Sequence, residues 1–175
     1  ARQAQLETSP LPRHADTNDV LPEPEDLTAL FERAEVPDLY RLSYIANALV
    51  LPLYDAVKRD FDLSRGEYLL LFCLSHFPVL TARDVAEMSK RPRNTISRAV
   101  HRMLNEGYID RVPDPEDGRQ ARLTITQSGR ELHDRVMERF RSRETQGFQI
   151  LDEDDRATLD RILQKLALHI ALTLD

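Results

Sequence analysis

The spacing of apolar residues changes twice along this chain, and that change constrains its fold more than any other feature. From Pro37 to Gly107 the hydrophobic side chains recur at helical spacing. Two short runs, "YIDRV" and "ARLTIT", then alternate with a period of two and are rich in β-branched residues. From Thr126 onward the helical spacing returns. The alternating runs flank the polar stretch "PDPEDGRQ", which reads as the tip of a two-stranded hairpin.

Local start and stop signals divide the helical part. Ser64 and Glu67 have the spacing of a capping box ahead of "YLLLFCLSHF", and Pro78 marks the far end. Thr81 and Asp84 repeat that spacing ahead of a short helix. A tight turn over Ser89 to Arg91 follows, then a helix reaching about Glu106, with Gly107 as the stop. Helix, short helix, turn, helix and hairpin in that order make a helix-turn-helix followed by a wing. The expected fold class is mainly α with a small β-hairpin wing.

Outside this lobe the chain reads as three further segments. Residues 1–36 carry Pro10, Pro12, Pro22 and Pro24 and form an N-terminal extension. It is either weakly structured or an arm docked on a partner, with a short helix over 25–35. Residues 37–62 form a broad-faced helix that Pro52 should kink or split. Residues 63–130 are the winged lobe. Residues 131–175 hold two helices, starting after Thr126 and Asp152, and the last is apolar nearly all round in its C-terminal half. Broad apolar faces at both ends of the domain suggest a dimer interface built from both.

The candidate functional segment is "KRPRNTISRAVHR", Lys90 to Arg102. It holds five cations, one His and no acid in a chain of formal charge −6. Residues 81–130 carry ten Lys/Arg against seven Asp/Glu, whereas the rest of the chain is strongly acidic. Like charges three and four apart on a helix repel and gain nothing from intrahelical pairing. At about 100° per residue, Ile96, Val100, Met103 and Leu104 share one side. Asn94, Arg98, His101, Arg102 and Asn105 lie opposite, with Thr95 and Ser97 on the flanks. Such an outer face carries the side chains that pair with base edges and phosphates. The expected division gives base reading to Asn94, Thr95, Ser97 and Arg98, and phosphate contact to Lys90, Arg91, Arg93 and Arg102. Arg119, beside Gly118 at the hairpin tip, suits a narrow minor groove. Asp117 is placed to hold it or a recognition-helix arginine.

The block from "LSRGEYLLLF" through "LTITQSGREL" resembles the MarR family of winged helix-turn-helix regulators, with the wing pattern D-x-R at Asp117 and Arg119. The resemblance implies a homodimer with interlocked first and last helices. It also implies a palindromic double-stranded DNA operator, repression more often than activation, and release by a small aromatic or phenolic effector. Candidate effector-pocket residues are Ser43, Tyr44, Asn47, Tyr68, Phe72 and His76, where the first long helix meets "EYLLLFCLSHF".

Other classes fare worse. There is no H-E-x-x-H, no Gly-rich phosphate loop and no paired Cys/His spacing, so neither an enzyme nor a metal or cofactor site is expected. Cys73 stands alone among apolar neighbours and reads as a buried, inert thiol. No run approaches the roughly 18 apolar residues of a membrane span, and the N-terminal stretch lacks the apolar core of a signal peptide. A cytoplasmic location is therefore expected. The competing function is a winged-helix module for protein–protein contact, its basic face meeting an acidic partner.

Overall fold

The computed structural model describes residues 23–113 and 121–173. Contacts divide the chain into an N-terminal unit ending at Ser43 and a main unit starting at Tyr44.

The N-terminal unit holds α1 (Pro24–Arg33) and the start of α2 (Pro37–Ile45). Both begin with a proline, which loses nothing at a position whose amide has no helical acceptor. At the head of α1 the Glu23 amide donates to Asp26 Oδ2 at 3.1 Å. Arg41 pairs with Asp38 at 3.1 Å and lies over the Phe31 ring. Leu39, Tyr40 and Leu42 are exposed.

The long helix expected over 37–62 is interrupted where Pro52 requires it. Residues Ala46–Val50 widen into a π-helical turn, and α3 (Leu51–Phe61) restarts with Pro52 in its first turn. The proline has no amide to donate to the preceding turn, so the hydrogen-bond ladder is re-registered there. Asp62 closes α3 in the left-handed conformation, at φ 54°.

Next comes α4 (Arg65–His76), whose capping box forms as the spacing predicts. Ser64 Oγ accepts the Glu67 amide at 3.3 Å, and Glu67 Oε2 accepts the Ser64 amide at 2.6 Å. Helix α4 is the axis of the core: Leu70, Leu71 and Leu74 are 0–1% exposed. It packs on α5 (Ala82–Ser89), capped by Thr81, and on α6 (Arg93–Asn105). Lys90, at φ 50°, turns the chain between α5 and α6, and Gly107 (φ 74°) ends the segment as expected.

The hairpin pairs β1 (Ile109–Pro113) with β2 (Ala121–Ile125), Ile109 opposite Ile125 and Pro113 opposite Ala121. A bridge from Leu80 to Leu123 docks the hairpin on the lobe, with Leu80 and Leu123 exchanging backbone bonds at 2.8 and 3.2 Å. Thr126 caps α7 (Gln127–Phe148), and Asp152 Oδ1 accepts the Asp155 amide at the head of α8 (Glu153–Thr173). Val57, Leu63, Val85, Ile96, Met103, Ile109, Leu123, Leu132 and Val136 complete one core with the α4 leucines. No residue of α8 is buried, and Leu163, Leu166, Leu168, Ile170 and Leu172 all stand exposed. None of the described helices is long and apolar enough to cross a membrane.

Candidate nucleic-acid interface and a neighbouring cavity

The apolar stripe of α6 decides which of its side chains face outward. Ile96, Ala99 and Met103 are buried against α4, which leaves Arg93, Asn94, Ser97, Arg98 and His101 exposed on the opposite side. Among the described residues neither Arg93 nor Arg98 forms an ion pair, although ion pairs are frequent elsewhere on this surface. Asn94 Oδ1 lies 3.5 Å from Thr95 Oγ1, and His101 Nδ1 lies 3.2 Å from Asn105 Nδ2. The α6 start also differs from those of α4, α5 and α7. Pro92 occupies the cap and makes no side-chain hydrogen bond to the first turn, where the Thr95 amide donates to the Pro92 carbonyl at 3.0 Å instead.

Of the predicted contacts, Thr95 sits on the flank as its phase suggests, and Arg102 is placed otherwise than its phase suggests. Thr95 is half-buried: a Cβ added to Gly66 would lie 3.0 Å from Thr95 Cγ2, so its methyl faces α4 at a close helix crossing. Arg102 turns inward. Its Nη1 donates to the Asp62 carbonyl at 2.7 Å and to Glu67 Oε2 at 2.9 Å, Nη2 to Asp62 Oδ2 at 2.8 Å, and Nε to Glu106 Oε1 at 2.9 Å. The guanidinium pKa is raised, first by the Glu106 hydrogen bond and then by Glu67. The phosphate role expected of Arg102 conflicts with this geometry, because four of its five donors are already taken up by the Asp62 carbonyl and the Asp62, Glu67 and Glu106 carboxylates. Arg91 is half-buried in the turn, its Nε without a hydrogen-bond partner among the described residues, and Lys90 is exposed at the same turn. The wing-tip residues Asp117, Gly118 and Arg119 lie outside the described residues.

Two further arginines adjoin this face. Arg83 on α5 and Arg111 on β1 line a hollow of about 330 Å³ together with Ser97, between α5, α6 and the base of the wing. Arg83 pairs with Glu87 at 2.9 Å. The available signal was strand phase: Arg111 falls on the same face of β1 as the buried Ile109, where an apolar residue is the default.

A cavity of about 400 Å³ opens between α3, α4 and α7, walled by Leu53, Tyr54, Tyr68, Phe72, Met137 and Phe140. The rings pack on one another: Tyr54 and Phe140 meet edge to face at 6.0 Å, and Tyr68 Oη donates to Met137 Sδ at 3.3 Å. Arg143 and Glu144 reach its edge, Glu144 paired with Arg156 at 2.9 Å. Of the six residues expected at an effector pocket, Tyr68 and Phe72 form its wall. Ser43 belongs to the N-terminal unit, and Tyr44 and Asn47 are exposed on α2 and the π turn. His76 is exposed at the end of α4, its Nδ1 2.8 Å from the Phe72 carbonyl. Helical phase located the region, but Tyr54, Met137 and Phe140 emerge only from the meeting of three helices.

These elements define a winged helix-turn-helix protein. Residues 61–120 match the MarR family model. The chain is 32% identical over 75 residues to an uncharacterized HTH-type transcriptional regulator, YybA, of Bacillus subtilis, covering 43% of this chain and 50% of that protein. It is 29% identical over 106 residues to the HTH-type transcriptional repressor IacR of Pseudomonas putida, covering 61% and 64%. These matches thus span half to just under two thirds of the relatives' lengths. The fold is similar to that of a mutant MarR from E. coli complexed with operator DNA. The TM-score is 0.63 at 20% identity, covering 75% of this chain and 95% of that one.

Proposed function

We propose that this chain is a dimeric, sequence-specific DNA-binding transcription regulator, acting as a repressor on a palindromic duplex. The observation that carries this reading is the outer face of α6. Arg93, Asn94, Ser97 and Arg98 are exposed together, and neither arginine is neutralised by a neighbouring carboxylate among the described residues. A helix of this kind enters the major groove with its N-terminal half toward the base edges. Asn94, Ser97 and Arg98 are assigned to base reading, with Thr95 at the margin. Lys90, Arg91 and Arg93 are assigned to phosphates, and Arg119 on the wing to the minor groove.

Dimer formation is supported by the apolar surface of α8 and by the exposed leucines and tyrosines of α2, which water would otherwise cover. The repressor assignment is supported by the name of IacR. The aromatic cavity, adjoining the lobe through α4, suits a flat aromatic or phenolic effector whose binding releases the DNA.

Binding to the DNA upstream of the chain's own gene, measured against salt, tests this reading. A DNA reader shows a steep log–log decline in affinity with salt, and Arg98→Ala loses roughly 1–3 kcal/mol of discrimination between that DNA and a scrambled duplex. Negligible affinity at low salt, or unchanged discrimination in Arg98→Ala, overturns it in favour of a protein–protein module.

A further inference from the structure

Arg102 was expected to meet phosphate, and its surroundings are wrong for that. A guanidinium has five N–H donors, and the four hydrogen bonds to Asp62, Glu67 and Glu106 occupy four of them. Three carboxylates face two cations here, Arg102 and the Lys58 that pairs with Asp62 at 2.6 Å, so the cluster is still net negative and Arg102 has little charge left over for a phosphate. The partners also differ in kind. Asp62 is the left-handed residue that ends α3, Glu67 is the buried acid of the α4 capping box, and Glu106 closes α6 itself. One side chain on the last turn of α6 therefore grips the junction where α3 passes into α4.

We propose that Arg102 is a positioning residue: it clips the C-terminal turn of α6 to the α3–α4 junction and so sets the angle at which Asn94, Ser97 and Arg98 meet DNA. The inference rests on the reading of α6 as the DNA-reading helix. Glu67 is central, because its Oε2 receives both the Ser64 amide at 2.6 Å and Arg102 Nη1 at 2.9 Å. The start of α4 and the end of α6 thus share one oxygen. A fork is needed here: a lysine supplies the charge and three donors, but all on one nitrogen, which cannot match acceptors spread around Nε, Nη1 and Nη2.

The test compares wild type, Arg102→Ala, Arg102→Lys and Glu67→Gln on the upstream duplex and on a scrambled duplex, over a range of salt, with thermal melts of each protein. A positioning role predicts that Arg102→Ala lowers the ratio of specific to non-specific affinity by about tenfold, the scale of a lost base contact, while the salt slope stays unchanged. Arg102→Lys does not restore the ratio. Glu67→Gln keeps the capping-box geometry yet shifts the ratio in the same direction. A phosphate contact predicts the opposite: both affinities fall in parallel and the slope drops by about one per bound subunit. That result overturns the proposal, as does a rise in specific affinity in Glu67→Gln. If wild type distinguishes no duplex, the DNA-reading assignment fails, and the clip is judged without DNA by amide exchange. Faster exchange across residues 93–105 in Glu67→Gln and Arg102→Ala supports it, and unchanged exchange overturns it.

Discussion

The rings of Tyr68 and Phe140 stack with their centroids 4.8 Å apart and their planes 15° from parallel, joining α4 to α7 across the wall of the cavity. Their contact means that the cavity is bounded by packed aromatic surface rather than by loose side chains. Phe140 is half-buried, so Phe140→Ala is expected to destabilise the chain by about 2–3 kcal/mol, at or below the low end for phenylalanine truncation. Urea unfolding measures this. A change within experimental error would mean that the stack contributes nothing to holding α7 against α4.

Cys73 is 4% exposed and burial pushes its thiol pKa up, so it is held as the unreactive protonated form. Labelling with a thiol reagent at pH 8 should be slow in the native protein and fast in denaturant. Rapid, stoichiometric labelling of the native chain would contradict the placement of Cys73 inside the core.

Stability should fall at both ends of the pH scale for identifiable reasons. Lys58 first, and then Arg102, hold the Asp62 carboxyl below the ordinary aspartate range. A depressed carboxyl contributes stability that is complete above its unfolded value and is lost as pH falls through the folded one. Asp62→Asn should therefore flatten part of the acid limb. Burial pushes the Tyr68 phenol above its ordinary 10.0. That contribution is complete below pH 10 and lost as pH rises beyond it, so Tyr68→Phe should flatten the alkaline limb. Urea midpoints from pH 2 to pH 11 check both, and unchanged limbs would count against the two assignments.

Much of the lobe was legible because its signals are local. Ser64, Thr81, Thr126 and Asp152 each sit within three residues of the amide they cap, and Gly107 and Pro52 act on the backbone where they stand. The inward turn of Arg102 was not legible. Its phase on α6 is that of an outward residue, and although Glu106 is one turn away, the two partners that draw it inward lie 35 and 40 positions away. The flank position of Thr95 was legible, whereas the contact of its methyl with α4 depends on the close approach of Gly66. The cavity was half legible: Tyr68 and Phe72 follow from the α4 pattern, whereas Phe140 and Met137 arrive from α7.

The apolar residues of α8 make the dimer testable. Leu166 and Ile170 lie one helical turn apart and are 42% and 44% exposed. Leu166→Glu with Ile170→Glu should convert a sedimenting dimer to a monomer at micromolar concentration, with the helix content of the winged lobe retained. A wild type that sediments as a monomer would remove the dimer from the account.

The central claim is that α6 reads base sequence, and selection of bound duplexes from a random pool addresses it most directly. Wild type should enrich an inverted repeat whose half-sites are centred about one helical turn apart, or a multiple of it. Arg98→Ala should lose its base preference at one position in each half-site and keep the rest. No enrichment by wild type, or an identical preferred sequence in Arg98→Ala, would contradict it.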